Sequence, residues 1–125
     1  MNLTVEHLPN GVALVTLSAE ASKNALSIKL MQSMSDIVDE LLENSSVKSI
    51  VMTGTGKFFC SGADIGEFAS AIDDGSISDL VGGLTSILHP MQLKIRASEK
   101  IFVVAINGSV AGGGLGIALC ADYRV

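Results

Sequence analysis

Two apolar runs, residues 48–53 (KSIVMT) and 101–106 (IFVVAI), are short and nearly continuous, and each empties into a glycine-bearing loop. Strands buried on both faces read this way, and such strands belong to parallel sheets whose crossover helices cover them. An α/β fold with a parallel sheet is therefore expected. Ahead of these runs, residues 3–7 and 12–17 are rich in β-formers and flank Pro9-Asn10-Gly11, where Asn-Gly offers the positive φ angles of a tight hairpin. Ser27 is placed to cap a helix in which Met31, Met34, Val38, Leu41 and Leu42 recur at three- and four-residue spacing, ending near Asn44. Residues 76–98 read as mostly helical, with a kink or two shorter helices predicted at Gly82-Gly83 and Pro90. A further helix is expected over residues 113–121, and Tyr123-Arg124-Val125 reads as the start of another strand. Residues 1–125 are accordingly expected to form the N-terminal part of a single domain that is incomplete at its C-terminus.

Composition narrows the function classes. With 125 residues, 48% of them hydrophobic, the chain has material for one core and not two. A net charge of −5 without a Lys/Arg cluster argues against nucleic acid. Four Phe, one Tyr and no Trp suggest no stacking platform. Cys60 and Cys120 are too few and too far apart for a metal site and are expected to be reduced, partly buried thiols, which fits the cytoplasm. No apolar run approaches the roughly 20 residues that span a bilayer, and the N-terminus has no secretory pattern, so neither membrane nor export is expected.

Two loops carry candidate chemistry. In residues 57–68, Gly62 frees the backbone to turn, and Asp64 with Glu67 three residues on resembles a capping box that starts a short helix, so that N–H groups near Ala63 can point outward. The plainer alternative is that Asp64 is only an N-cap. In residues 106–119, Gly112-Gly113-Gly114 at a helix start lets a ligand oxygen reach peptide N–H groups without meeting a Cβ, and the helix dipole favours negative charge there. Its alternative is close helix–sheet packing. Other patterns fail on spacing. Phe58 follows Lys57 where a P-loop needs Ser or Thr, Ile117 stands where the dinucleotide fingerprint needs its third glycine, and no Gly-x-Ser-x-Gly elbow supports Ser61 or Ser109 as a nucleophile.

Lys23-Asn24-Ala25-Leu26, then FFCSGADIGEF at residues 58–68, then AINGSVAGGGLGIALCADYRV at residues 105–125, in this order, resemble the crotonase or enoyl-CoA hydratase/isomerase family over essentially the whole chain. The resemblance implies a spiral of ββα units and an oxyanion hole for the thioester carbonyl of an acyl-CoA, with Ala63 and Gly113 as its two N–H donors. It also implies that Lys23, Asn24 and Ala25, with the backbone of Ala63, Asp64 and Ile65, line the pockets of the CoA moiety. CoA would then be part of the substrate, with no separate cofactor and no metal. Full-length members assemble as homo-oligomers, trimers or dimers of trimers.

Hydratases of the family carry a glutamate at the position of Gly116. Its absence points to isomerisation of an enoyl-CoA by a single carboxylate further along the chain, or to related single-acid variants such as the aromatic acyl-CoA dehalogenases. The alternatives are a hydratase with an atypical base and a catalytically silent acyl-CoA-binding or assembly protein. Asp122, Glu67 and His89 are each expected to be structural rather than catalytic.

Overall fold

The computed structural model of the chain describes residues 2–125. Asn10 and Gly11 take φ angles of 65° and 77°, turning strand β1 (Leu3–Leu8) back on β2 (Val12–Leu17) so that Leu8 pairs with Val12. Helix α1 (Ile28–Glu43) follows. Ser27 Oγ accepts from the Leu30 N–H at 3.1 Å, and Asn44 caps the other end. Then come β3 (Ser49–Gly54), β4 (Phe58–Cys60), α2 (Ile65–Asp74) and α3 (Ile77–Ala97). The chain closes with β5 (Ile101–Val104), β6 (Ser109–Val110), α4 (Gly113–Cys120) and β7 (Tyr123–Arg124). The order ββα thus recurs three times, the middle unit carrying a second helix.

The larger sheet runs β1-β2-β3-β5-β7 and is parallel from β2 onward; β4 and β6 form a separate parallel pair. Alternate residues of the larger sheet enter one core: Val15 and Leu17 of β2, Ile50 and Met52 of β3, Phe102 and Val104 of β5. They join Met31, Met34 and Val38 of α1 and Leu84, Leu88, Met91 and Ile95 of α3. The other face is less covered than the continuous apolar runs predicted, since Val51 and Val103 are only half-buried.

Helix α3 departs from expectation. Two shorter helices are not formed; one 21-residue helix continues through Pro90. Pro90 and Ser86, whose carbonyl loses its helical partner to the proline, are both exposed residues, a placement that lets water serve in its stead. The buried stripe of Leu84, Leu88, Met91 and Ile95 spans the proline on the opposite side. Each such side chain contributes roughly 1.5–3 kcal/mol on burial, so the stripe outweighs the ~3 kcal/mol an interior proline costs. Gly83 lies against Ile28 of α1, where an added Cβ would come within 3.3 Å of Ile28 Cδ1. Among the described residues, no helix is long and apolar enough to cross a membrane.

Candidate active site

The β4–β6 pair brings the two glycine-bearing loops together. Phe58 pairs with Ser109 and Cys60 with Val110; the Ser109 N–H donates to Lys57 O at 3.2 Å and the Ala111 N–H to Cys60 O at 3.0 Å. From the other side, the Ser61 N–H donates to Lys23 O at 3.1 Å and the Leu26 N–H to Gly62 O at 2.7 Å, and Leu26 bridges Ala63. The segments around residues 23–26, 58–68 and 105–114 are therefore one hydrogen-bonded block. Strands of three and two residues leave no readable period in a sequence, which is why this sheet was not expected.

Within the block, Gly62 (φ 95°) and Gly112 (φ 54°) occupy backbone conformations that other residues rarely adopt. They also meet backbone to backbone. A Cβ on Gly62 would stand 3.1 Å from Ala111 O, and one on Gly112 would stand 3.4 Å from Gly62 Cα. Both glycines immediately precede the proposed donors, Ala63 and Gly113. In the first turn of α4, the Gly114 and Leu115 N–H groups both donate to Ala111 O and the Gly116 N–H donates to Gly112 O. Among the described residues, the N–H groups of Ala63 and Gly113 donate to nothing. An unpaired donor at a helix N-terminus is a place for negative charge.

Two cavities meet at this point. A cleft of about 150 Å³ is lined by Ala63 and Gly113 together with Leu26, Phe68, Leu84 and Leu88, among others. A more open groove of about 350 Å³ is lined by Lys23, Ala25, Phe58, Ala63, Asp64 and Ile65, among others. Ala63 belongs to both. Five of the six residues expected to contact CoA thus face one groove. The exception is Asn24, whose side chain is wholly buried. Its Oδ1 accepts from the Ala19 N–H at 2.8 Å and its Nδ2 donates to Thr55 O and Phe58 O. Asn24 is therefore placed as scaffold behind the groove wall, and its own φ of 54° suits asparagine. Asn24→Ala is expected to lower stability by about 2 kcal/mol, because it strands the Ala19 N–H and the Thr55 carbonyl, while Phe58 O keeps the Asn107 amide at 3.1 Å; urea unfolding followed by circular dichroism measures this. Lys23 lies over the Phe58 ring, 5.5 Å from its centroid.

The expected capping box is half formed. Asp64 caps α2, its Oδ1 accepting from the Glu67 N–H at 3.0 Å. Glu67 does not return to Asp64; its Oε1 accepts from the Ile28 N–H at 3.2 Å, at the start of α1. Asp122 is structural, with Oδ2 accepting from the Phe102 N–H at 2.8 Å and Oδ1 3.6 Å from Arg96 Nη1. His89 is exposed, while its neighbour Leu88 lines the cleft. Sequence reasoning missed Gln92. A Cβ at position 116 would meet its Nε2 at 2.8 Å, so the α3 amide leans over Gly116. Both cysteines are free thiols; burial pushes Cys60 and Cys120 up from their ordinary range, the Gly62 N–H partly opposing this at Cys60. Among the described residues, no group of three or more His, Cys, Asp or Glu side chains is arranged to hold a metal.

Comparison with known proteins gives the family and the fold. A family model described as enoyl-CoA hydratase/isomerase matches residues 7–125. YngF of Bacillus subtilis is 34% identical over 115 residues, spanning 91% of this chain and 42% of its own length. The enoyl-CoA hydratase AKT6-1 of Alternaria alternata is 36% identical over 120 residues, spanning 92% of this chain and 36% of its own length. The crystal structure of an enoyl-CoA hydratase from Bacillus anthracis superposes with a TM-score of 0.88 at 28% identity, covering 99% of this chain and 46% of that one. The chain spans less than half the length of each of these relatives.

Proposed function

The chain belongs to the enoyl-CoA hydratase/isomerase family, and from that premise we propose that it binds an acyl-CoA thioester and, in a parent of its relatives' length, shifts a double bond of an enoyl-CoA through an enolate. The observation that carries this reading is the pair of unpaired N–H groups, at Ala63 and Gly113, on the wall of one apolar cleft. Removing a proton from the α or γ carbon of a thioester moves charge onto its carbonyl oxygen. Two fixed donors on the wall of an apolar cleft stabilise that charge, and each is worth roughly 3–4 kcal/mol in comparable sites. The acyl chain would enter the cleft between Leu84 and Leu88 of α3 and Phe68 of α2, and the CoA moiety would lie in the groove of Lys23, Ala25 and Asp64 to Ile65. CoA is then part of the substrate rather than a resident cofactor. We place the reaction in the cytoplasm, in a homo-oligomer, trimeric or a dimer of trimers, formed by the whole parent.

Isomerisation is preferred over hydration because Gly116 offers no carboxylate and the Gln92 amide leans over the place where one would begin. A single carboxylate further along the parent chain would carry the proton. One observation favours a second reading, binding without turnover by this stretch itself: among the described residues, none lining the cleft has an ionisable side chain.

Two measurements test the proposal. The 125-residue chain is mixed with a saturated acyl-CoA carrying carbon-13 at the thioester carbonyl, and difference infrared spectroscopy follows that carbonyl. A shift to lower frequency on binding is expected; its absence overturns the oxyanion reading. A parent of the relatives' length is then given 3-enoyl-CoA and crotonyl-CoA. Conversion of the first without hydration of the second is the isomerase result, and turnover of neither with tight binding is the silent one. In that parent Gly116→Glu should raise hydration by up to about 10²-fold, once the flexible Gln92 tip swings away from the new Cβ. No gain would mean that the site for water is missing as well.

A further inference from the structure

We infer that Glu67 is a positioning residue for the Ala63 donor, acting by clasping the first turn of α2 to the first turn of α1. This rests on the oxyanion reading of the cleft. Ala63 immediately precedes Asp64, the N-cap of α2, and its N–H direction follows the orientation of that helix start. Side-chain packing fixes it only in part. Phe68 packs half-buried against the core and Ala71 is the one buried residue of α2, while Ile65 and Ile72 are exposed at 83% and 64%. What holds the helix start is polar. On the near side Leu26 bridges Ala63, with the Leu26 N–H donating to Gly62 O at 2.7 Å. One turn later the Glu67 carboxylate reaches back to the Ile28 N–H at 3.2 Å. Leu26 and Ile28 flank Ser27, the cap of α1, so two bonds tie both helix starts together around Ala63. The Ile28 N–H belongs to the unsatisfied first turn of α1, where the helix dipole favours a carboxylate. The other polar partner of the same turn is Ser27 Oγ, already occupied by the Leu30 N–H.

Severing the clasp should free α2 to rotate and misdirect the donor, with little effect on how tightly the CoA groove holds its ligand. The isotope-edited carbonyl band of the bound saturated acyl-CoA reads donor alignment, and titration calorimetry reads affinity. Glu67→Ala is expected to reduce the carbonyl downshift by about half or more while affinity stays within about threefold. Glu67→Gln, whose amide oxygen still accepts from Ile28, restores the downshift. Ile28→Pro removes the same bond from the donor side, at the first helical position, where proline is best tolerated and where the extended Ser27 (ψ 162°) accommodates it. It should reproduce the Glu67→Ala result even if that variant folds poorly. An unchanged downshift in both severed variants overturns the inference while leaving the oxyanion reading intact. No downshift in the unmodified chain overturns both.

Discussion

Gly113→Pro should leave the chain folded and lower turnover of an acyl-CoA in a competent parent about 10²–10³-fold, the usual cost of one oxyanion donor. The fold tolerates the change because Gly113 is the first residue of α4 and its N–H holds no other element in place, and proline is at home at that helical position. A Cβ there would come 2.9 Å from Leu26 Cδ1, the movable end of a flexible side chain, and into ordinary contact with Leu88 Cδ2 at 3.5 Å. Gly113→Ala keeps the N–H and adds the same Cβ, so it separates crowding from loss of the donor. Steady-state kinetics on both variants decide the matter. A proline variant no slower than the alanine variant would remove Gly113 from the proposed oxyanion hole.

Gly108→Ala should unfold the site rather than slow it. Gly108 packs directly on the Lys57 carbonyl, and a Cβ would collide with that backbone and with Phe58 N, 3.1 Å away. These atoms belong to the β4–β6 ladder, through the bond from the Ser109 N–H to Lys57 O, and cannot turn aside as a side chain does. Overpacking usually costs 1–3 kcal/mol, and a clash against paired backbone belongs at the top of that range, about 3 kcal/mol. A domain is commonly stable by only about 5–15 kcal/mol, so the loss is large. Urea unfolding should show a lower midpoint with an unchanged slope. A midpoint equal to that of the unmodified chain would mean that the two loops are not in backbone contact.

Much of the fold is legible along the chain because it is written in local periods. Asn10-Gly11 marks its turn, Ser27 its cap, and the three- and four-residue spacing of Met31 to Leu41 its buried face. The two glycine loops are legible for the same reason, since a glycine run before a helix is a statement about the backbone. What escapes is set by partners distant in sequence. The spacing of Asp64 and Glu67 foretells a local box, but Glu67 finds its donor 39 positions away. Asn24 reads as a groove residue until Thr55 and Phe58 are seen behind it. Pro90 forecasts a break that burial on the far side of α3 overrides. Strands β4 and β6 are too short to announce themselves, though they join the two halves of the site.

Because groove and cleft touch only through Ala63, a two-ended molecule would be judged at each end by different parts of the chain. The handle would be read by the stretch before α1 and the turn into α2, the tail by Val81, Leu84, Thr85 and Leu88 on α3. Neither set shares a side chain with the other apart from that one alanine. On the proposed reading, replacing residues on that one helix face would alter the tail side of the cleft while leaving the groove as it is. On the proposed reading, the part that holds charge and the part that meets the tail could then change independently.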